Sequence, residues 1–214
     1  MIIDIEGTDG SGKKTQTLKL KEYLESKGKK VKLISFPNYE SNSSAAVKMY
    51  LNGEIGASVD CLDGYQTSTL YAVDRLITMS KINLEEYDYI LFDRYVPSNM
   101  IHQSTKVKDP IALDSFLEWL EEFEYGKLKL PMPDKILFLD MPLEYSSRLA
   151  KNRGEYKSGT TKDIHEQDLN HLNTAYERAK YVAEKFNWIT IPCVNKTLKS
   201  IDEIHKEILT KLGL

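Results

Sequence analysis

The chain begins Met1-Ile2-Ile3-Asp4-Ile5 and runs directly into Glu6-Gly7-Thr8-Asp9-Gly10-Ser11-Gly12-Lys13-Lys14-Thr15-Gln16. A short apolar strand, a glycine-rich turn and a helix start, in that order, constrain the fold more than any other stretch. Gly7, four residues, then Gly12-Lys13 is the spacing of a phosphate-binding loop. Glycines let the backbone curl so that successive N–H groups point inward at phosphate oxygens. The helix that follows directs its positive end at the same place. Lys13 adds a mobile point charge for the outer phosphates. Gly7, Gly10, Ser11, Gly12, Lys13, Lys14 and Thr15 are therefore the candidate donor-phosphate residues. One position departs from the pattern: the residue after the loop lysine is ordinarily Ser or Thr, whose hydroxyl binds Mg²⁺, and this chain has Lys14. Either the metal is held by phosphates, water and a carboxylate elsewhere, or Lys14 supplies the charge itself. Asp9 is a second oddity, since a negative charge near phosphates is costly unless it has a partner.

Downstream, strand-like and helix-like patterns alternate. Strands are expected at 1–5, 30–35, 87–92, 135–139 and 188–191, with helices at 13–27, 43–52, 66–82, 110–125, 143–151, up to Lys185, and 200–212. Repeated βα alternation predicts an α/β fold, a five-stranded parallel sheet with helices on both faces, in which ligands sit at the carboxyl ends of the strands. The residues at those ends are polar: Phe36-Pro37-Asn38-Tyr39 after the second strand, Asp93-Arg94-Tyr95 after the third and Asp140 after the fourth. Residues 153–164 are rich in Gly, Lys and Thr and break the helical period; they read as a lid over the phosphates or as a plain surface loop.

The 214 residues suit one domain spanning 1–214, with 153–164 as a segment within it. A net charge of −3 gives no sign of a nucleic-acid partner. No apolar run approaches the roughly 20 residues needed to cross a bilayer, and the N-terminus reads as a core strand rather than a signal peptide, so a cytoplasmic protein is expected. Cys61 and Cys193 read as reduced thiols, and the four histidines lack zinc-ligand spacing. A guanine-specific GTPase is disfavoured because Asn195-Lys196-Thr197-Leu198 lacks the aspartate of the Asn-Lys-x-Asp element. Motor ATPases are disfavoured because the third strand ends in Asp93-Arg94 rather than paired acids.

With those motifs in place, the chain resembles the thymidylate kinases over nearly its whole length. Glu6-Gly7-Thr8-Asp9-Gly10-Ser11-Gly12-Lys13 is similar to the family's E-G-x-D-G-x-G-K. Asp93-Arg94-Tyr95-Val96-Pro97-Ser98, continuing to Gln103, resembles D-R-Y-x-x-S-x-x-x-x-Q. Tyr71-Ala72-Val73-Asp74-Arg75 resembles F-x-x-D-R, Phe36-Pro37 the F-P element, and Arg148 with Arg153-Gly154-Glu155 the lid arginines. The resemblance implies a nucleoside monophosphate kinase of the P-loop NTPase type, which moves the γ-phosphoryl group of ATP to dTMP with Mg²⁺. It also implies a homodimer and no nucleic-acid or membrane partner. Lys13, Asp93, Arg94 and Arg153 would be catalytic, with Asp93 on the metal. Arg148 and Asn195 would join the loop around ATP, and Asp9, Phe36, Pro37, Tyr71, Arg75, Arg94, Ser98 and Gln103 would surround dTMP.

The residues support those roles without the name. Transfer between two nucleotides needs charge neutralisation more than covalent groups. An arginine fork suits the acceptor phosphate. Tyr71 and Arg75, four apart, share a helix face; on the residues alone they read as one buried aromatic with a surface arginine, and a base stacked on Tyr71 is what the resemblance implies. The chain also departs from its relatives. Gly10 stands where some members have Arg, so the catalytic cation is expected from the lid: Arg148, Arg153, Lys157 or Lys162, with Arg153 foremost. His102 stands where a tyrosine is common. Asn38-Tyr39 and a run of serines replace the arginine many relatives carry after Phe-Pro. Another nucleotide or nucleoside kinase, or a nucleotide-binding regulator without catalysis, is the alternative; Glu-Arg-Ser after the third strand, more usual in deoxynucleoside kinases, is absent.

Overall fold

The computed structural model describes residues 1–56, 58–154 and 169–214, with side chains at all of these except 59, 150–154 and 169–171. Five strands form one parallel sheet: β1 (Ile2–Glu6), β2 (Val31–Ser35), β3 (Tyr89–Asp93), β4 (Lys135–Asp140) and β5 (Ile189–Pro192). Their order is β2-β3-β1-β4-β5, so β1 is central and pairs with β3 on one side and β4 on the other. The topology therefore reverses direction at β1, and the crevice beyond its carboxyl end is where such sheets bind ligands. A small antiparallel hairpin, β6 (Val194–Asn195) and β7 (Thr197–Leu198), follows β5.

Strand periodicity sorts the β1 side chains. Ile3 and Ile5 enter a core of Leu20 and Leu24 from α1 (Lys13–Ser26), strand residues Leu91, Leu137 and Ile191, and Ile204 and Ile208 from α8 (Ile201–Leu212). The other face packs against α3 (Gly64–Met79), α4 (Val96–His102), α5 (Pro110–Glu121) and α7 (Leu169–Lys185). Asp4 and Glu6 alternate with Ile3 and Ile5, and both are fully buried. The α-helices of the described chain are completed by α2 (Ala45–Leu51) and α6 (Leu143–Gly154).

The caps are encoded locally. Asp63 and Gln66 form a reciprocal capping box before α3, Asp109 caps α5 just ahead of Pro110, and Ser200 with Glu203 boxes α8. Three elements depart from the sequence expectation. The α4 helix follows β3 at once and starts at a Val-Pro pair; its residues are nearly all buried, so no polar face marks it. After α5 the chain does not continue as α-helix to 125 but widens into a π-helical turn over Glu122–Lys127. The second expected helix is a 3₁₀ turn at Asn42–Ser44 followed by the seven residues of α2. The expected lid, 153–164, has only its first two residues inside the described backbone, and Lys157 and Lys162 lie outside it.

Candidate active site

The loop between β1 and α1 curls as its glycines allow. Gly10 has φ +80°, and a Cβ there would sit 2.1 Å from the Ser146 carbonyl oxygen of α6. The loop tip thus packs directly under a helix backbone, and only glycine fits. Lys13 is folded back into its own loop, donating to the carbonyls of Gly7 (2.7 Å) and Thr8 (2.8 Å). Burial, followed by the positive charge of Arg94, lowers its ammonium to about 8. Lys14 is exposed and borders the same cavity.

Arg94 lies at the end of β3 with φ +69°, a left-handed conformation that non-glycine residues seldom adopt. This turn sends the guanidinium back toward the loop. Its Nη2 pairs with Asp9 Oδ1. Its Nη1 reaches Ser98 Oγ at 3.3 Å and His102 Nε2 at 2.9 Å. Asp9 also stands 4.0 Å from Lys13 Nζ, so one carboxylate sits between the loop lysine and the strand-end arginine. Two cations thus compensate the acidic residue inside the phosphate loop. Below it, Glu6 accepts from Tyr95 N (3.1 Å) and Ser98 Oγ (2.9 Å). Burial raises the Glu6 carboxyl, and Arg94 and Lys13 pull it back.

The segment after β2 is fastened to α3 through Asp74. Its carboxylate accepts from Asn38 N (2.8 Å) and Ser43 Oγ (2.5 Å). Ser41 caps the 3₁₀ turn, and Ser44 Oγ donates to the Asn38 and Ser41 carbonyls. The serines that replace an arginine are thus tied up in shaping the loop. Phe36 is buried against Phe92 and Tyr95.

These elements enclose a cavity of about 450 Å³. It gathers Asp9, Gly10, Gly12, Lys13 and Lys14 from the loop, and Phe36, Pro37 and Tyr39 after β2. Tyr71 and Arg75 come from α3, Asp93 and Arg94 from the β3 end, and Ser98, Asn99, His102 and Gln103 from α4 and the turn beyond it. Gln103 Oε1 is buried and unpaired there. Gly7, Ser11 and Thr15 belong to the loop but do not border the cavity. Arg148 is exposed on α6 and Asn195 on β6, and neither borders it. The Arg153 side chain lies outside the described residues.

Sequence reasoning does not find Asn99 or Glu124; both are buried polar groups beside Arg75. On the residues alone Arg75 reads as a surface arginine, whereas it is 2% exposed, ion-paired with Glu124 and borders the cavity. Asn99 becomes legible only once α4 itself is known. Glu124 carries no signal, because the π turn shifts the helical phase. Among the described residues no group of three or more His, Cys, Asp or Glu is placed to hold a metal, and no helix is long and apolar enough to cross a membrane.

The arrangement has counterparts. The family model described as "Thymidylate kinase" matches residues 5–208. A thymidylate kinase of Mycobacterium tuberculosis is 30% identical over 171 residues, 78% of each chain. One of Plasmodium falciparum is 28% identical over 212 residues, covering 98% of this chain and 88% of that one. In backbone, the solved thymidylate kinase of Candida albicans superposes with a TM-score of 0.72 at 22% identity, over 99% of this chain and 90% of that one. The chain belongs to the thymidylate kinase family.

Proposed function

We propose that the chain transfers the γ-phosphoryl group of ATP to dTMP, giving dTDP and ADP. The observation that carries this reading is the Lys13–Asp9–Arg94 relay inside one cavity. It sets a donor-phosphate cation and an acceptor-phosphate cation on either side of a single carboxylate. ATP phosphates lie along the loop amides, and Lys13 leaves the Gly7 and Thr8 carbonyls to meet them. The acceptor phosphate takes Arg94, whose Nη2 is otherwise paired with Asp9. An acceptor phosphate oxygen then bonds to the γ-phosphorus as the bond to the β-phosphate oxygen breaks. Lys13 and Arg94 neutralise charge on the transferred group, with Arg153 supplying a further cation. Tyr71 offers a ring face to the thymine, and Arg75, Ser98 and Gln103 offer polar atoms to its edge. Arg148 and Asn195 serve the ATP side.

The residues present fit Mg²⁺ in a limited way. A small cation that keeps water and takes substrate phosphates needs one or two protein carboxylates. Asp93, bordering the cavity, is the one that would hold it; Lys14 leaves no hydroxyl in the usual place. The metal would shield the phosphate charges. A homodimer is supported by exposed apolar residues on one face of α3, Val73, Leu76 and Ile77, with Met49 of α2 also exposed. A cytoplasmic setting accords with the ATP requirement.

A coupled ADP-release assay over dTMP, dUMP, dCMP, dGMP and thymidine tests the activity. Release should depend on dTMP and exceed that with the other acceptors. Release with thymidine but not dTMP, or with no acceptor at all, would overturn the reading.

A further inference from the structure

Beneath the cavity lies a buried network that the transfer chemistry does not require. Glu124 takes Arg75 in a two-pronged grip, Nε to Oε2 at 2.6 Å and Nη2 to Oε1 at 2.7 Å. Asn99 Nδ2 donates to the same Oε1 at 2.8 Å and to the Ser68 carbonyl at 3.2 Å. Arg75 Nη1 leans on the Tyr95 carbonyl at 3.3 Å. Arg75 and Asn99 are 2% exposed and Glu124 is fully buried, yet Arg75 and Asn99 both border the cavity.

Glu124 owes its position to the π-helical turn over Glu122–Lys127, where it is the only buried residue. Such turns are rare and concentrate at functional sites. A buried ion pair is also a poor way to gain stability, since well-packed apolar residues do as well or better. What the pair does provide is a guanidinium locked in one plane. Of its five N–H groups, Glu124 and the Tyr95 carbonyl engage three. One N–H on each terminal nitrogen is left over at a residue that borders the acceptor cavity.

We propose that Glu124 is a positioning residue for the acceptor base: it locks Arg75, and with it Asn99, so that the spare guanidinium N–H groups meet a base carbonyl oxygen. This rests on the reading that the acceptor nucleotide occupies this cavity. It makes the site favour a pyrimidine with a carbonyl at that edge over one with an amino group, which would set donor against donor.

The test is a double-mutant cycle of Glu124→Gln and Arg75→Met, read by calorimetric dTMP affinity, by kcat and by KM for ATP. Glu124→Gln should weaken dTMP binding about tenfold, the loss of roughly 1.4 kcal/mol, with KM for ATP unchanged and kcat altered far less. The preference for dTMP over dCMP should narrow. In the Arg75→Met background the same change should add less than twofold, because its route of action is gone. Glu124→Asp, which keeps the charge but withdraws it by one methylene, should fall between, and it replaces Glu124→Gln if that variant does not fold. Full additivity, or equal loss for dTMP and ATP in step with a lowered melting temperature, would overturn the proposal and leave Glu124 as a packing residue. Failure of the kinase reading would look different: dTMP would bind, or another acceptor would, without turnover, and the cycle on the bound nucleotide would still judge Glu124.

Discussion

Asp9 shows how a single residue carries both halves of the site. It neutralises Lys13 and Arg94 while substrates are absent, so neither cation is stranded in a half-buried cavity. The tension remains legible in Lys13, lowered to about 8. Between that value and the unfolded lysine's 10.5, the native protein binds fewer protons than the unfolded chain, so stability rises with pH across that window. Lys13→Met should therefore abolish turnover yet stabilise the unliganded protein at pH 7, by ~1–3 kcal/mol, with the gain fading toward pH 10.5 in denaturant titrations. Asp4 is a second case. It is fully buried, its carboxylate oxygens have no hydrogen-bond partner, and burial together with Glu6 and Asp93 raises it well above 3.8. The folded state resists ionisation that the unfolded chain accepts, so stability falls as pH climbs above 3.8. Asp4→Asn should raise the melting temperature at pH 7 and leave it unchanged near pH 3.5. The loop is readable in the sequence from its glycine spacing and Asp93-Arg94 from its place at a strand end, whereas the Tyr71/Arg75 pair is readable only through the family resemblance. The pairing of Arg94 with Asp9, 85 positions away, is not readable, because it depends on which strand lies beside β1.

At the level of elements, the loop and α6 act as one piece. A Cβ added at Gly10 would stand 2.1 Å from the Ser146 carbonyl oxygen, with φ at +80°, so any side chain there must push α6 off the loop or uncurl the loop. Gly10→Ala should cost at least tenfold in kcat/KM for ATP, a loss of about 1.4 kcal/mol, with dTMP binding by calorimetry little affected. The same geometry explains why position 10 of the loop does not carry an arginine in this chain. Five strands and most helices are legible from period and caps, the capping pairs Asp63/Gln66 and Ser200/Glu203 being local signals. The α4 helix is not, since a short helix buried on nearly all sides has no amphipathic period to find. Nor is the π turn, since one extra residue in a turn leaves no compositional mark.

For the whole molecule, the strand order β2-β3-β1-β4-β5 sets the loop of β1 beside the end of β3, and the proposed reaction needs both. Val73, Leu76 and Ile77 leave an apolar stripe on the outer face of α3, whose inner face carries Asp74 and Arg75. If that stripe is the contact between two copies, Val73→Asp with Ile77→Asp should turn a dimer into a monomer by sedimentation velocity and weaken dTMP binding through α3. Wild-type protein that sediments as a monomer would remove the interface. Self-association is not legible in the sequence, because it depends on which helix face is left uncovered. The central claim is that the acceptor phosphate replaces Asp9 as the partner of Arg94. A crystal structure with ADP and dTMP tests it most directly: the Arg94 guanidinium should be found on the 5′-phosphate, released from Asp9. A guanidinium still paired to Asp9, with the phosphate held elsewhere, would contradict the account.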